Sequence, residues 1–185
     1  MSKQVQPNQL QKLMKYLLFI YISLHAISCT QTTSKQETPQ EILVDTSRIV
    51  IIQHDSTDNW AFNDGQPAEL TSDDINKIER LIGICINEYN IPQQKRYDEE
   101  KRKYPEYELR IENYIIDLKR YKRQYVATTN SKGEKEVWVN CFCRTDVENW
   151  RKGILIVKDG GNCFFNLKIN ITKETFYDLM VNGDA

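Results

Sequence analysis

The sequence predicts an α+β domain in which an antiparallel sheet of about five strands packs on one main amphipathic helix. Three stretches carry that expectation. Val137 to Cys143 alternates, with Val137, Val139, Cys141 and Cys143 on one face and Trp138, Asn140 and Phe142 on the other. A period of two belongs to a strand whose two sides meet different surroundings. Ile75, Ile78, Ile82, Cys85 and Tyr89 recur at spacings of three and four, so they share one helix face. Asp159-Gly160-Gly161-Asn162 separates two apolar runs and turns the chain back on itself.

The chain opens on a different kind of segment. Tyr16 to Ile27 is apolar and nearly uncharged, preceded by Lys12 and Lys15 and followed by Ser28-Cys29. It is too short for the roughly 20 apolar residues of a membrane-spanning helix and fits the centre of a secretory leader. Ala26-Ile27-Ser28-Cys29 resembles a bacterial lipobox, although Ala26 stands where the commonest pattern has leucine. That resemblance implies that residues 1–28 are a cleaved leader and that Cys29 is lipidated, becoming a membrane-anchored N-terminus in the cell envelope. Met14-Lys15 leads directly into the apolar run, whereas residues 1–13 are polar and Gln-rich; translation is therefore expected to start at Met14. The intact mass of an unprocessed Cys29→Ala precursor checks this. Residues 29–44, rich in Thr, Gln and Ser, read as a flexible tether. They lack an acidic run after the cysteine, and the expectation is an outer-membrane protein facing the periplasm.

Residues 45–185 are expected to form a single domain, as the length suggests. Arg48 to His54 is a β-branched run typical of a buried strand. Asn63 to Pro67 is turn chemistry. Thr71 caps the helix, Asp73 and Asp74 suit the positive end of its dipole, and Asn90 with Pro92 stops it. Leu81 and Ile86 widen the apolar stripe, while Lys77, Glu79, Arg80 and Glu88 point elsewhere. A second helix over Glu106 to Leu118 would align Tyr107, Ile111, Tyr114 and Leu118. Hairpins follow: Tyr121–Thr128 with Glu136–Cys143, then Ile154–Lys158 with Cys163–Ile171, and last Thr175–Val181.

In outline this is similar to the cystatin-like class of folds. The inhibitory members carry a Gln-x-Val-x-Gly loop; Gln124-Tyr125-Val126-Ala127-Thr128 lacks its glycine, so the resemblance implies no protease inhibition. Val137–Cys143 together with Asp159–Phe165 is similar to small bacterial envelope proteins of unknown function.

Of five cysteines, Cys29 is assigned to the lipid, which leaves Cys85, Cys141, Cys143 and Cys163. In an oxidising envelope an even number admits disulfides, with three pairings, and Cys141 or Cys143 with Cys163 fits neighbouring strands. All four also suit burial as small hydrophobes. His54 is the one histidine beyond the leader; with Cys141 and Cys143 it is a weak zinc set, because Cys-x-x-Cys spacing is absent. No phosphate-binding glycine loop, nucleophile elbow or His-Glu-x-x-His helix is present, and no cofactor is expected. With 25 basic and 26 acidic residues and a net charge of −1, nothing favours nucleic acid as a partner. The basic–aromatic run Tyr114 to Tyr125 is offset by Glu108, Glu112 and Asp117 and reads as a solvated junction, with an anionic envelope polymer as a minor alternative. Trp138, Phe142 and Phe164 lie opposite the helix-facing residues, where they are either covered by the second helix or open as a face for an envelope partner. The expected function is thus non-enzymatic: an envelope lipoprotein acting as a binding or structural module. The alternative is a cysteine- or metal-dependent enzyme using His54 with Cys141, Cys143 or Cys163.

Overall fold

A computed structural model describes residues 45–55, 61–62, 65–144 and 146–183 of the chain. The strands are β1 (Ile49–Ile51), β2 (Gln66–Pro67), β3 (Lys122–Thr129), β4 (Lys135–Phe142), β5 (Phe164–Asn170) and β6 (Thr175–Val181), and the helix α1 spans Ser72–Lys103. They make an α+β fold, one helix against a mixed and mostly antiparallel sheet of order β1-β3-β4-β5-β6, with β2 also on β3.

The expected apolar stripe is the buried one. Ile78, Leu81, Ile82, Cys85 and Ile86 of α1 meet Tyr125, Val137, Val139, Cys141, Phe165, Leu167 and Ile169 of the sheet. At about 1.5–3 kcal/mol for each fully buried aliphatic or aromatic side chain, this layer is the main source of folding energy. Thr71 and Asp74 form a reciprocal capping box, and Lys135 Nζ reaches Asp74 at 2.8 Å, fixing the start of α1 to the start of β4. Burial opposes the Asp74 charge, but the hydrogen bonds from Lys135 and Thr71 outweigh it and hold the carboxyl below its ordinary range.

α1 does not end at Asn90 or Pro92; it continues through both to Lys103. A proline removes one backbone bond and crowds the preceding turn, and here neighbouring contacts offset that loss. Asn90 is clamped to the Ile116 backbone, its Nδ2 donating to the carbonyl and its Oδ1 accepting from the N–H, both at 2.8 Å. Beyond Pro92, good helix formers are paired at i, i+4: Gln94 with Asp98 at 3.0 Å and Arg96 with Glu100 at 2.8 Å.

The expected helix over Glu106–Leu118 does not form. The segment holds two short 3₁₀ turns, Ile111–Asn113 and Leu118–Arg120. Side chains from elsewhere take its backbone groups: Asn90 binds Ile116, and Asn162 Nδ2 donates to the Glu112 and Ile115 carbonyls. In that helix the Glu112 carbonyl would accept from the Ile116 N–H; here Asn162 takes the one and Asn90 Oδ1 the other, so tertiary bonds displace the local one.

Two further expectations about the sheet are corrected. β1 pairs with β3 in parallel, Ile49 opposite Arg123 and Ile51 opposite Tyr125; the long intervening chain permits the crossover a parallel pair requires. Ile154–Lys158 is not a strand, because its backbone is taken up by side chains of the sheet's second face. The Asp159–Asn162 turn leads into the 3₁₀ turn Gly161–Cys163 instead of a hairpin. Gly160 there has φ +97°, and a Cβ on it would lie 2.7 Å from the Phe164 ring, so only glycine suits the position.

The β3–β4 and β5–β6 turns meet at Glu134. Its carboxylate accepts from Lys173 Nζ at 2.7 Å, Asn170 at 2.9 Å and Asn130 at 3.2 Å. Led by Lys173, these donors hold its pKa down to about 2, well below the ordinary glutamate range. A depressed folded pKa contributes stability above the unfolded value and loses it as pH falls toward the folded one. Glu134→Gln is therefore expected to lower the urea midpoint at neutral pH, with the deficit closing between pH 4.5 and about 2. A deficit that stays constant over that window would contradict this assignment.

Candidate functional site

The sheet's second face is covered by a strap, the chain between Cys143 and Cys163. These two residues are joined by a disulfide with Cα atoms 5.0 Å apart, and the Cys143 N–H also donates to the Cys163 carbonyl at 2.9 Å. β4 and β5 bring the cysteines together as neighbours beyond the last paired residues, Phe142 opposite Phe164. The strap thus closes on itself at its base.

Its body is held by amide side chains. Gln124, wholly buried on β3, donates to the Trp150 carbonyl at 2.6 Å and the Gly153 carbonyl at 2.7 Å. Its Oε1 accepts from the Leu155 N–H and from Asn140 Nδ2, each at 2.9 Å. Asn140 also donates to the Leu155 carbonyl, and Asn182 to the Val157 and Asp159 carbonyls. Gln124, Asn140 and Asn166 are register partners on β3, β4 and β5, so the alternation of the strands sets one amide row under the strap. Asn166 Oδ1 in turn accepts from Trp138 Nε1 at 3.3 Å.

Trp138, Phe142 and Phe164 lie beneath this strap, at 5%, 0% and 6% exposure. Trp138 packs with Ala61, Phe62 and Val126, and Phe142 meets Trp150 edge-on at 5.6 Å. The three aromatics therefore do not form an open patch, and the cover is the strap, with Ala61 and Phe62 over Trp138, rather than a second helix. A hollow of about 130 Å³ remains between Leu155–Val157 and the sheet. A larger groove of about 510 Å³ lies at the other edge, between Ile51–Gln53 and Pro67–Leu70. Residues 56–60 and 63–64, between its walls in sequence, are outside the described residues.

The remaining suspected residues are dispersed. Cys85 and Cys141 are free thiols in the helix-side core. Burial raises the Cys85 thiol to about 11 and pushes Cys141 higher still, the reverse of an activated nucleophile. His54 follows β1 and is buried, and its Nδ1 meets no hydrogen-bond partner among the described residues. No three His, Cys, Asp or Glu side chains gather at metal-binding distance among the described residues. Cys29 lies outside them.

One cluster escaped the sequence. Glu79 turns inward, accepts a short hydrogen bond from the Tyr125 hydroxyl and lies 3.1 Å from Arg123 Nε, an ionic contact outside hydrogen-bond alignment. Arg123 also donates to the Tyr121 and Leu118 carbonyls at 3.1 and 3.2 Å. Burial, seconded by the Glu79 charge, drives the Tyr125 hydroxyl well above its usual range. Glu79 lies one residue past Ile78 and sits at the rim of the stripe, where helical spacing alone does not say which way a long side chain turns. No cavity adjoins this cluster among the described hollows, and it acts as a buried tie between helix and sheet.

No family model, curated protein or solved structure matches this chain. Among the described residues no helix is long and apolar enough to cross a membrane.

Proposed function

We propose that this chain is an exported lipoprotein of the bacterial envelope, anchored through Cys29 to the outer membrane and facing the periplasm, whose domain is a non-enzymatic binding or structural module. The observation that carries the reading is the run Tyr16–Ile27 ending in Ala26-Ile27-Ser28-Cys29. The Cys143–Cys163 disulfide supports it, since such bonds persist in oxidising compartments. The fate of the other cysteines supports a non-catalytic domain over cysteine chemistry: two are joined, and Cys85 and Cys141 are buried with raised pKa values. The amide row has its polar atoms engaged by strap backbone, which makes it a structural part of the domain rather than a catalytic one.

Metabolic labelling with an alkyne fatty acid tests the anchor. The wild-type chain is expected to take the label and fractionate with membranes, and Cys29→Ser to lose both properties. An unlabelled wild-type chain would sink the reading. Retained phenotype in Cys85→Ser and Cys141→Ser variants is the matching expectation for a non-catalytic domain.

A further inference from the structure

The basic residues that the sequence scatters are drawn together at the end of the domain where the tether joins. Three segments converge: 45–48, 117–122, and 144 with 146–152. Arg48 Nη1 donates to the Lys119 carbonyl, and Arg151 donates to the Ser47 carbonyl and, at 3.1 Å, to that of Ile49. Trp150 completes the junction. Its ring packs on Phe142 and carries Lys122 Nζ at 5.3 Å and the Arg151 guanidinium at 4.2 Å from its centroid. Lys122 and Arg151 are therefore seated on a ring that itself packs on the core.

These segments hold seven basic and four acidic side chains, an excess of three in a chain whose net charge is −1. The acids are largely engaged: Asp45 with Arg48, Asp146 with Arg144, and Asp117 with the Lys119 N–H. Lys119, Arg120 and Lys152 are exposed, and among the described residues no carboxylate pairs with them.

We propose that this end of the domain is a docking face for a bilayer surface of anionic phospholipid, resting on the lipid-anchor reading above. Two observations choose that occupant. The excess charge complements a phosphate-bearing surface. Asp45, the first described residue, follows directly on residues 29–44, whose Thr-, Gln- and Ser-rich sequence reads as a tether; a coil of that length would span about 22 Å on average. The face is thus delivered to the membrane at high effective concentration. A soluble polyanion has no such continuity with the anchor.

The experiment uses the chain from residue 29 with Cys29→Ser, so that no lipid contributes, floated with phosphatidylcholine vesicles with or without phosphatidylglycerol. Binding is expected only with phosphatidylglycerol, at ionic strength near 0.01 M and not near 1 M, where screening shortens from about 30 to about 3 Å. Each basic side chain near such a surface contributes about fivefold to partitioning. Lys119→Glu/Arg120→Glu is therefore expected to weaken binding at least about 25-fold. Lys77→Glu/Lys132→Glu, the same charge change at the opposite end of the sheet, should leave most of it. Equal binding to neutral vesicles, or an unaffected Lys119/Arg120 pair, overturns the proposal. So does capture by soluble heparin without capture by phosphatidylglycerol vesicles. Fatty-acid labelling of Cys29 is read separately, so loss of the anchor and loss of the docking face give different results.

Discussion

Gln124→Ala is expected to lower the unfolding free energy by about 3–5 kcal/mol, because it strands several buried groups at once. The Trp150 and Gly153 carbonyls lose their donor, and the Leu155 N–H and Asn140 Nδ2 lose their acceptor. Each unmatched buried group costs about 1–3 kcal/mol, and partial access of water to the strap keeps the total below the simple sum. Gln124→Glu separates polarity from volume. It keeps the acceptor but replaces the donor with an oxygen facing two carbonyls, so it is expected to be no better than alanine. Urea unfolding reads the global loss. Hydrogen exchange of the Leu155 amide reads the local one, and that amide should lose protection before those of β4. A Gln124→Ala chain within about 0.5 kcal/mol of wild type would show that the strap is held by something else.

Cys143→Ser/Cys163→Ser is expected to cost about 3 kcal/mol, the loop-closure value for a bridge of this span, whose cysteines are 20 positions apart. Wild-type chain unfolded in reductant should match the double variant, since both lack only the bridge. Denatured, unreduced chain with its N-terminal cysteine lipidated should show two free thiols, those of Cys85 and Cys141. Four free thiols, or an unfolding midpoint indifferent to reductant, would remove the bridge. The two experiments are coupled. The disulfide fixes the base of the strap and Gln124 its middle, so the combined variant should lose less than the two losses added together.

What the sequence discloses here follows how local each cause is. The period of α1 and the alternation of β4 and β5 arise from burial against one neighbour, and Ile78, Ile82, Val139 and Leu167 could be placed without knowing the partner. The end of α1 could not, because Pro92 is overruled by the grip of Asn90 on Ile116, a residue 26 positions away. The segment after the helix fails for the same reason: Asn162 takes the Glu112 carbonyl and Asn90 the Ile116 N–H that a second helix would have joined. The strap was hidden because Ile154–Lys158 has strand-like composition, and only the amide row beneath it explains why it crosses the sheet instead of joining it. A hint was present in the matched polar positions Gln124, Asn140 and Asn166 on three successive apolar strands. The basic face needed three dimensions, since Arg48, Lys119 and Arg151 are far apart in sequence.

The parallel β1 has a consequence for the order in which the molecule assembles. Among the described residues its ladder partners are residues 123–125, some 74 positions further along, whereas β3, β4, β5 and β6 pair with neighbours that follow closely. Contacts so remote in sequence close late. As the chain emerges N-terminus first, Ile49–Ile51 must wait for most of the polypeptide to appear. The meander can zip up unaided, and the β1 edge is the last to be sealed.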